Sequence, residues 1–217
     1  MLRSLARNFS HPLLARRGFT LTELAIVLGI IGIVLGGIWV AAARVYANNK
    51  TQKAAAQILA IANGYKVLYS NGIDNATMWA DVTCIGVNNG IFPTDMLPNA
   101  ACATDGAAIS PPGSSSGEPT YPQTPWGGSS YVTVQTVQSN NTVLVGYWNL
   151  SQAACISLAE IVYNSNPEMT YQYLGSPATS NWLPPYGPSP AWTTPSQIRA
   201  KCGATNNNSV QVGIGAR

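Results

Sequence analysis

Apolar and polar positions divide the chain into three textures. From Leu24 to Ala43 run twenty consecutive uncharged residues, LAIVLGIIGIVLGGIWVAAA. At about 1.5 Å per helical residue this block reaches about 30 Å, the thickness of a bilayer's hydrocarbon layer. Beyond it the texture turns amphipathic. Ile58, Ile61, Ala62, Tyr65, Leu68 and Tyr69 recur at spacings of three and four, while Lys50, Lys53, Gln57, Asn63 and Lys66 occupy other faces. The pattern predicts one helix from about Phe19 to Ser70, stopped by Asn71-Gly72. No proline stands between Leu13 and Phe92, so any bend in that helix falls to Gly29, Gly32, Gly36 and Gly37.

The third texture, from Asn71 onward, is mixed. Tyr131–Val137 and Thr142–Trp148 are β-rich runs separated by Gln138–Asn141, which predicts a hairpin. A helix follows, with Ser151 as N-cap and Ala154, Cys155, Leu158, Ile161 and Val162 on one face. Thr170–Leu174 and Val210–Ile214 are further strands. Ser110–Pro125 and Leu183–Pro195 hold five prolines each and are expected to be loops. Trp79, Trp126, Trp148, Trp182 and Trp192 all lie in this region, where they are expected to pack the core and anchor loops.

Composition narrows the function classes. Of 217 residues, 46% are hydrophobic and 9% charged, against about 25% charged in an average globular chain. That excludes a disordered chain, and the length excludes a large multidomain enzyme. The formal charge of +3 is unevenly spread. Arg3, Arg7, Arg16 and Arg17 precede the apolar block with no acid among them, whereas from Asn71 onward seven acids face three cations. The excess of acid there argues against a nucleic-acid partner. The basic leader is like the start of a secretory signal. No small-residue cleavage site follows the apolar run, however, so a retained anchor is expected.

Glu23 is the oddity at the edge of that run. The thirteen Phe, Leu, Ile and Val residues between Phe19 and Ala43 contribute about −4 to −8 kcal/mol on an insertion scale. A charge at the helix centre costs about 2.5–3.5 kcal/mol, and Glu23 lies nearer the end, so insertion still wins. Two readings follow from position alone: a carboxylate in the headgroup layer, or an intramembrane acid kept for a partner charge.

Candidate chemistry is sparse. The only histidine, His11, lies in the leader, so the remaining chain has no Ser-His-Asp or Cys-His machinery. The acids are scattered, and neither a phosphate-binding loop nor a dinucleotide glycine pattern occurs. Neither enzymatic activity nor a cofactor is expected. Cys84, Cys102, Cys155 and Cys202 are even in number and form no CxxC, so disulfides are expected in place of a metal site. Disulfides place them in an oxidising compartment and orient the leader toward the cytoplasm. Arg44, Lys50 and Lys53 leave the charge bias too balanced to decide this alone.

Arg16-Arg17-Gly18-Phe19-Thr20-Leu21-Thr22-Glu23-Leu24, followed by the apolar run, closely resembles the class III signal of type IV pilin precursors and related pseudopilins. Its marks are a short basic leader ending in Gly, here Gly18, then Phe19, then Glu23 four residues on. The likeness is tight over about the first 55 residues. It implies a prepilin peptidase that cuts between Gly18 and Phe19 and methylates the Phe19 amine. It also implies an assembly platform in the inner membrane and a homo-oligomeric filament. The leader's four cations would each cost about 2.5–3.5 kcal/mol in hydrocarbon, so an uncut precursor is locked in the membrane. Cutting releases it and brings an ammonium into the apolar layer that holds Glu23, where the two are expected to pair. The resemblance implies that Glu23 of an incoming subunit meets the Phe19 amine of its neighbour and sets axial register. Pairing within one chain is the plainer alternative. Gly29, Gly32 and Gly36, with a GxxxG pair at Gly32 and Gly36, are candidates for close helix packing.

The same resemblance frames the whole chain. It implies an α+β fold: a long amino-terminal helix packed on an antiparallel β-sheet head with a disulfide-closed carboxy-terminal region. The expected parts are a cleaved leader at 1–18, a transmembrane or filament-core helix at 19–44, its amphipathic continuation at 45–70, and a periplasmic or extracellular head at 71–217. Of three connectivities, Cys84–Cys102 with Cys155–Cys202 is expected, because the pairs are sequential and the second resembles the carboxy-terminal disulfide loop of pilins. The short leader, large head and long Cys155–Cys202 loop resemble the type IVb subclass, from which Phe19 departs. That subclass implies adhesion, conjugation or aggregation at a host or recipient cell surface. A minor pilin, a secretion pseudopilin or a membrane-anchored periplasmic binding or sensor domain are the alternatives. For a calcium-binding pseudopilin, only Glu160 and Glu168 remain after Glu118.

Overall fold

The computed structural model describes residues 18–72, 80–97, 102, 104, 109, 111, 120–137, 142–165, 169–175 and 194–215. The chain divides into two units, Met1–Val45 and Tyr46–Arg217. Helix α1 (Leu21–Leu68) begins in the first and ends in the second.

In the first unit, every described residue is exposed. The large apolar side chains from Leu24 to Val40 are exposed, on a segment that keeps its backbone polar groups satisfied by its own helical hydrogen bonds. Helix α1 starts two residues later and ends two residues earlier than its apolar pattern predicts.

The second unit is built on a four-stranded antiparallel sheet of order β1-β2-β4-β3, with β1 (Tyr131–Val137), β2 (Thr142–Leu150), β3 (Met169–Gly175) and β4 (Asn208–Gly215). The predicted hairpin is β1 and β2, and its connection at 138–141 lies outside the described residues. Alternation sends one face of the sheet inward. Val134 pairs with Val145 and Val145 with Val212, while Val132 pairs with Tyr147 and Tyr147 with Val210. All of these are buried, together with Ile58, Ile61 and Tyr65 of α1. Tyr147 Oη reaches Ala54 O at 3.4 Å, tying helix to sheet. On the opposite face, Trp148 Nε1 donates to Thr133 Oγ1 at 2.7 Å across Gly146, where a Cβ would stand 2.8 Å from the indole nitrogen.

Helix α3 (Gln152–Ser165) follows β2, with Ser151 Oγ accepting from Ala154 N. Its buried residues Ala154, Cys155, Leu158, Ala159 and Val162 join the same core. The predicted Ile161 is half-buried. Two short helices, α2 (Thr83–Asn88) and α4 (Pro195–Lys201), and a 3₁₀ turn at Thr94–Met96 escape the apolar periodicity. Pro195, assigned to a loop from sequence, is the first residue of α4 behind the Thr194 cap. The rest of the Leu183–Pro195 stretch, like Trp79, Trp182 and Trp192, lies outside the described residues apart from Thr194. Trp126 and Trp148 are half-buried.

Two side chains depart from the amphipathic reading of α1. Leu68 is 37% exposed and lies off the packed face. Gln57, placed off the apolar face by the pattern, is buried, and its Nε2 donates to Asp95 Oδ2 at 3.3 Å, which also pairs with Lys53 Nζ at 2.5 Å. Helix α2 stands close because Gly86 has no side chain: a Cβ there would collide with the Tyr65 hydroxyl, which donates to Val82 O at 2.7 Å. Disulfides join Cys84 of α2 to Cys102, and Cys155 of α3 to Cys202 beyond α4, with Cα separations of 5.5 and 5.9 Å.

Candidate functional site

The candidate site is the first turn of α1 and the residues that precede it. Gly18 and Phe19 stand before the helix, exposed, with Phe19 86% accessible. Thr20 is the cap. Its Oγ1 accepts from Glu23 N at 3.3 Å, while Glu23 Oε2 accepts from Thr20 N at 2.9 Å and from Thr20 Oγ1 at 3.0 Å. This reciprocal arrangement satisfies donors that a helix start otherwise leaves unpaired, and an acid in the first turn also suits the helix dipole. The Thr-x-x-Glu spacing at 20–23 signals it in the sequence, where attention goes first to Glu23 as a charge in an apolar run.

Gly29, Gly32 and Gly36 lie along α1 with nothing within 4 Å of where a Cβ would be, so each leaves an open notch in the helix surface. Residues 1–17, with the four arginines and His11, lie outside the described residues. The sequence-chosen residues therefore fall into two groups. Gly18, Phe19 and Glu23 cluster at the helix start, and the glycines follow along one helix. The four cysteines serve the second unit as two cross-links. Among the described residues, no three His, Cys, Asp or Glu side chains gather as a metal site would require.

The second unit contributes a polar cluster that sequence reasoning missed. Asp81 accepts from Tyr121 Oη at 2.7 Å and from Thr83 N at 2.9 Å, and Thr83 Oγ1 accepts from Val134 N at 2.9 Å. These bonds fasten residues 80–83 along the outer edge of β1, where Val82 N also donates to Val134 O at 2.8 Å. Burial and the Asp81 carboxylate push the Tyr121 hydroxyl well above its ordinary range, so it stays a donor. The cluster closes a sheet edge, and its residues are too far apart in sequence to be read as a group beforehand.

An exposed apolar helix opened by a capped glutamate, directly after Gly and Phe, has a counterpart among known families. Residues 13–39 match the family model for the prokaryotic N-terminal methylation motif. The segment is a class III signal of the type IV pilin kind. The match lies wholly in the amino-terminal part of the chain. No curated protein matches this sequence. The class III signal supports a precursor of the pilin or pseudopilin kind, from a group that is structural rather than catalytic. It implies processing by prepilin peptidase and assembly into pili, and with the apolar helix it fits anchoring of the precursor in the inner membrane.

Proposed function

We propose that this chain is the structural subunit of a type IVb-like pilus. In this reading residues 1–18 are the leader, cut after Gly18 by prepilin peptidase, which then methylates Phe19. Residues 19–44 cross the membrane and later line the filament core, 45–70 continue the helix, and 71–217 form a periplasmic head that becomes the filament surface. The protein is not an enzyme, and its partners are copies of itself, the peptidase and the inner-membrane assembly platform. The filament would act in adhesion, conjugation or aggregation at a host or recipient cell surface.

One observation carries the reading: the motif match at 13–39 takes in the start of an apolar helix, Leu21 onward, whose side chains are exposed and whose first turn holds an acid. An apolar surface of that length requires lipid or other helices around it. Gly29, Gly32 and Gly36 let such helices approach closely. Glu23 is the intramembrane acid that takes the new Phe19 ammonium of a neighbour as its partner, because a charge in an apolar layer is costly unless paired.

The test is genetic and direct. Cells with and without the peptidase are compared by immunoblot of membrane fractions, and sheared surface material is viewed by electron microscopy. The reading expects a smaller subunit and visible filaments only where the peptidase is present. A single unshifted band in both strains, with no filaments, removes it. Abundant filaments made of this chain mark it as the major subunit.

A further inference from the structure

We propose that Thr20 is a positioning residue for assembly: its hydroxyl and amide hold Glu23 through one carboxylate oxygen and leave the other free for the neighbour's ammonium. The proposal rests on the reading of Glu23 given above and deepens it. Both donors from Thr20, the backbone N at 2.9 Å and Oγ1 at 3.0 Å, reach the same oxygen, Oε2. Among the described residues, no donor reaches Oε1. Thr20 Oγ1 in turn accepts from Glu23 N at 3.3 Å, so the two residues lock each other's conformation.

Two physical consequences follow. A carboxylate among Phe19, Leu21 and Leu24 requires compensation before any partner arrives, and two donors from its own helix supply it. In the waiting subunit the Glu23 carboxylate is thus held through Oε2 alone. The box also uses only atoms of Thr20 and Glu23, so removing everything before Phe19 leaves it intact. The mature subunit inherits the same carboxylate orientation as its precursor, and the incoming ammonium meets a preset acceptor.

The function of the hydroxyl as a donor separates from plain helix capping by choice of substitution. Glycine caps helix starts nearly as well as threonine but has no hydroxyl, serine keeps both properties, and valine has neither. The full-length chain is expressed with its peptidase and assembly machinery as Thr20→Ser, Thr20→Gly, Thr20→Val, Glu23→Gln and the Thr20→Gly/Glu23→Gln pair. Filament yield is divided by the amount of processed subunit in the membrane. The proposal expects Thr20→Ser within about twofold of the parent and both Thr20→Gly and Thr20→Val down about tenfold, the scale of a lost hydrogen bond to a charged group. It also expects the double variant to be no lower than Glu23→Gln alone, since the two residues act as one unit. Normal assembly of Thr20→Gly beside a defective Thr20→Val reduces Thr20 to a helix cap and overturns the proposal, as does an additive double variant. If Thr20→Gly and Thr20→Val assemble normally while Glu23→Gln fails, the positioning role falls and the register role of Glu23 stands. Normal assembly of Glu23→Gln removes both.

Discussion

Removing the Cys155–Cys202 disulfide, as Cys155→Ala with Cys202→Ala, is expected to be the costliest single cross-link deletion in the chain. Cys155 sits on the buried face of α3 and Cys202 directly after α4, and both are buried. The bond closes a loop with a sequence separation of 47, against 18 for Cys84–Cys102. In the chain-entropy description the longer loop contributes about 4 kcal/mol and the shorter about 3 kcal/mol. The longer loop also spans β3, an outer strand of the sheet bonded to β4. Freed chain therefore loosens strand pairing as well as α3 and α4. A total stability of about 5–15 kcal/mol makes a loss of 4 a large share. The assay is urea unfolding of the detergent-solubilised full chain, followed by the fluorescence of its tryptophans, for the parent and both double variants. The reasoning fails if the 155/202 variant loses under about 1 kcal/mol, or if removing Cys84–Cys102 costs clearly more.

Three further outcomes follow from the packing of the second unit. Gly86→Ala is expected to cost about 1–3 kcal/mol, because its Cβ meets the Tyr65 hydroxyl and the Phe92 ring and the Tyr65 bond to Val82 O must shift. An unchanged urea midpoint would contradict the close approach. Asp95→Ala is expected to cost about 1–3 kcal/mol and Asp95→Asn clearly less, since only the first strips the buried Gln57 amide of its partner. Equal losses for the two would show that the Lys53 pair, not Gln57, matters. Burial pushes the hydroxyls of Tyr65 and Tyr147 above their ordinary range. Their folded-state pKa values lie above the unfolded value of about 10, so stability holds below that pH and falls above it, as only unfolded chains release these protons. A midpoint that stays level between pH 9 and about 11.5 would refute this.

The parts legible in the sequence are those with long local patterns. Helix α1 declares itself through twenty uncharged residues and then a three-four repeat, and the β1–β2 pair through two β-rich runs with polar residues between. The order β1-β2-β4-β3 is not local: β4 enters between β2 and β3 because Val212 pairs with both Val145 and Gln172, contacts that no short window contains. Helices α2 and α4 are too short to show a period. The start of α4 still carries a signal in Thr194-Pro195-Ser196-Gln197, a capping box with proline at its first helical position. Gln57 reads as a surface residue until Asp95, 38 positions away, supplies its partner. At the candidate site, Gly18, Phe19 and Glu23 stand out by residue type; Thr20 shows in the sequence only as the start of a Thr-x-x-Glu spacing, and its hold on the carboxylate comes into view with its hydroxyl on Glu23.

The central claim is that losing a basic leader converts an anchored precursor into a subunit able to assemble. Intact-mass and amino-terminal fragment analysis of the chain recovered from sheared filaments tests it most directly. The account predicts a single species beginning at Phe19 and carrying one extra methyl group on its amine. Filaments built from chains that still begin at Met1, or that begin anywhere beyond Glu23, would contradict it.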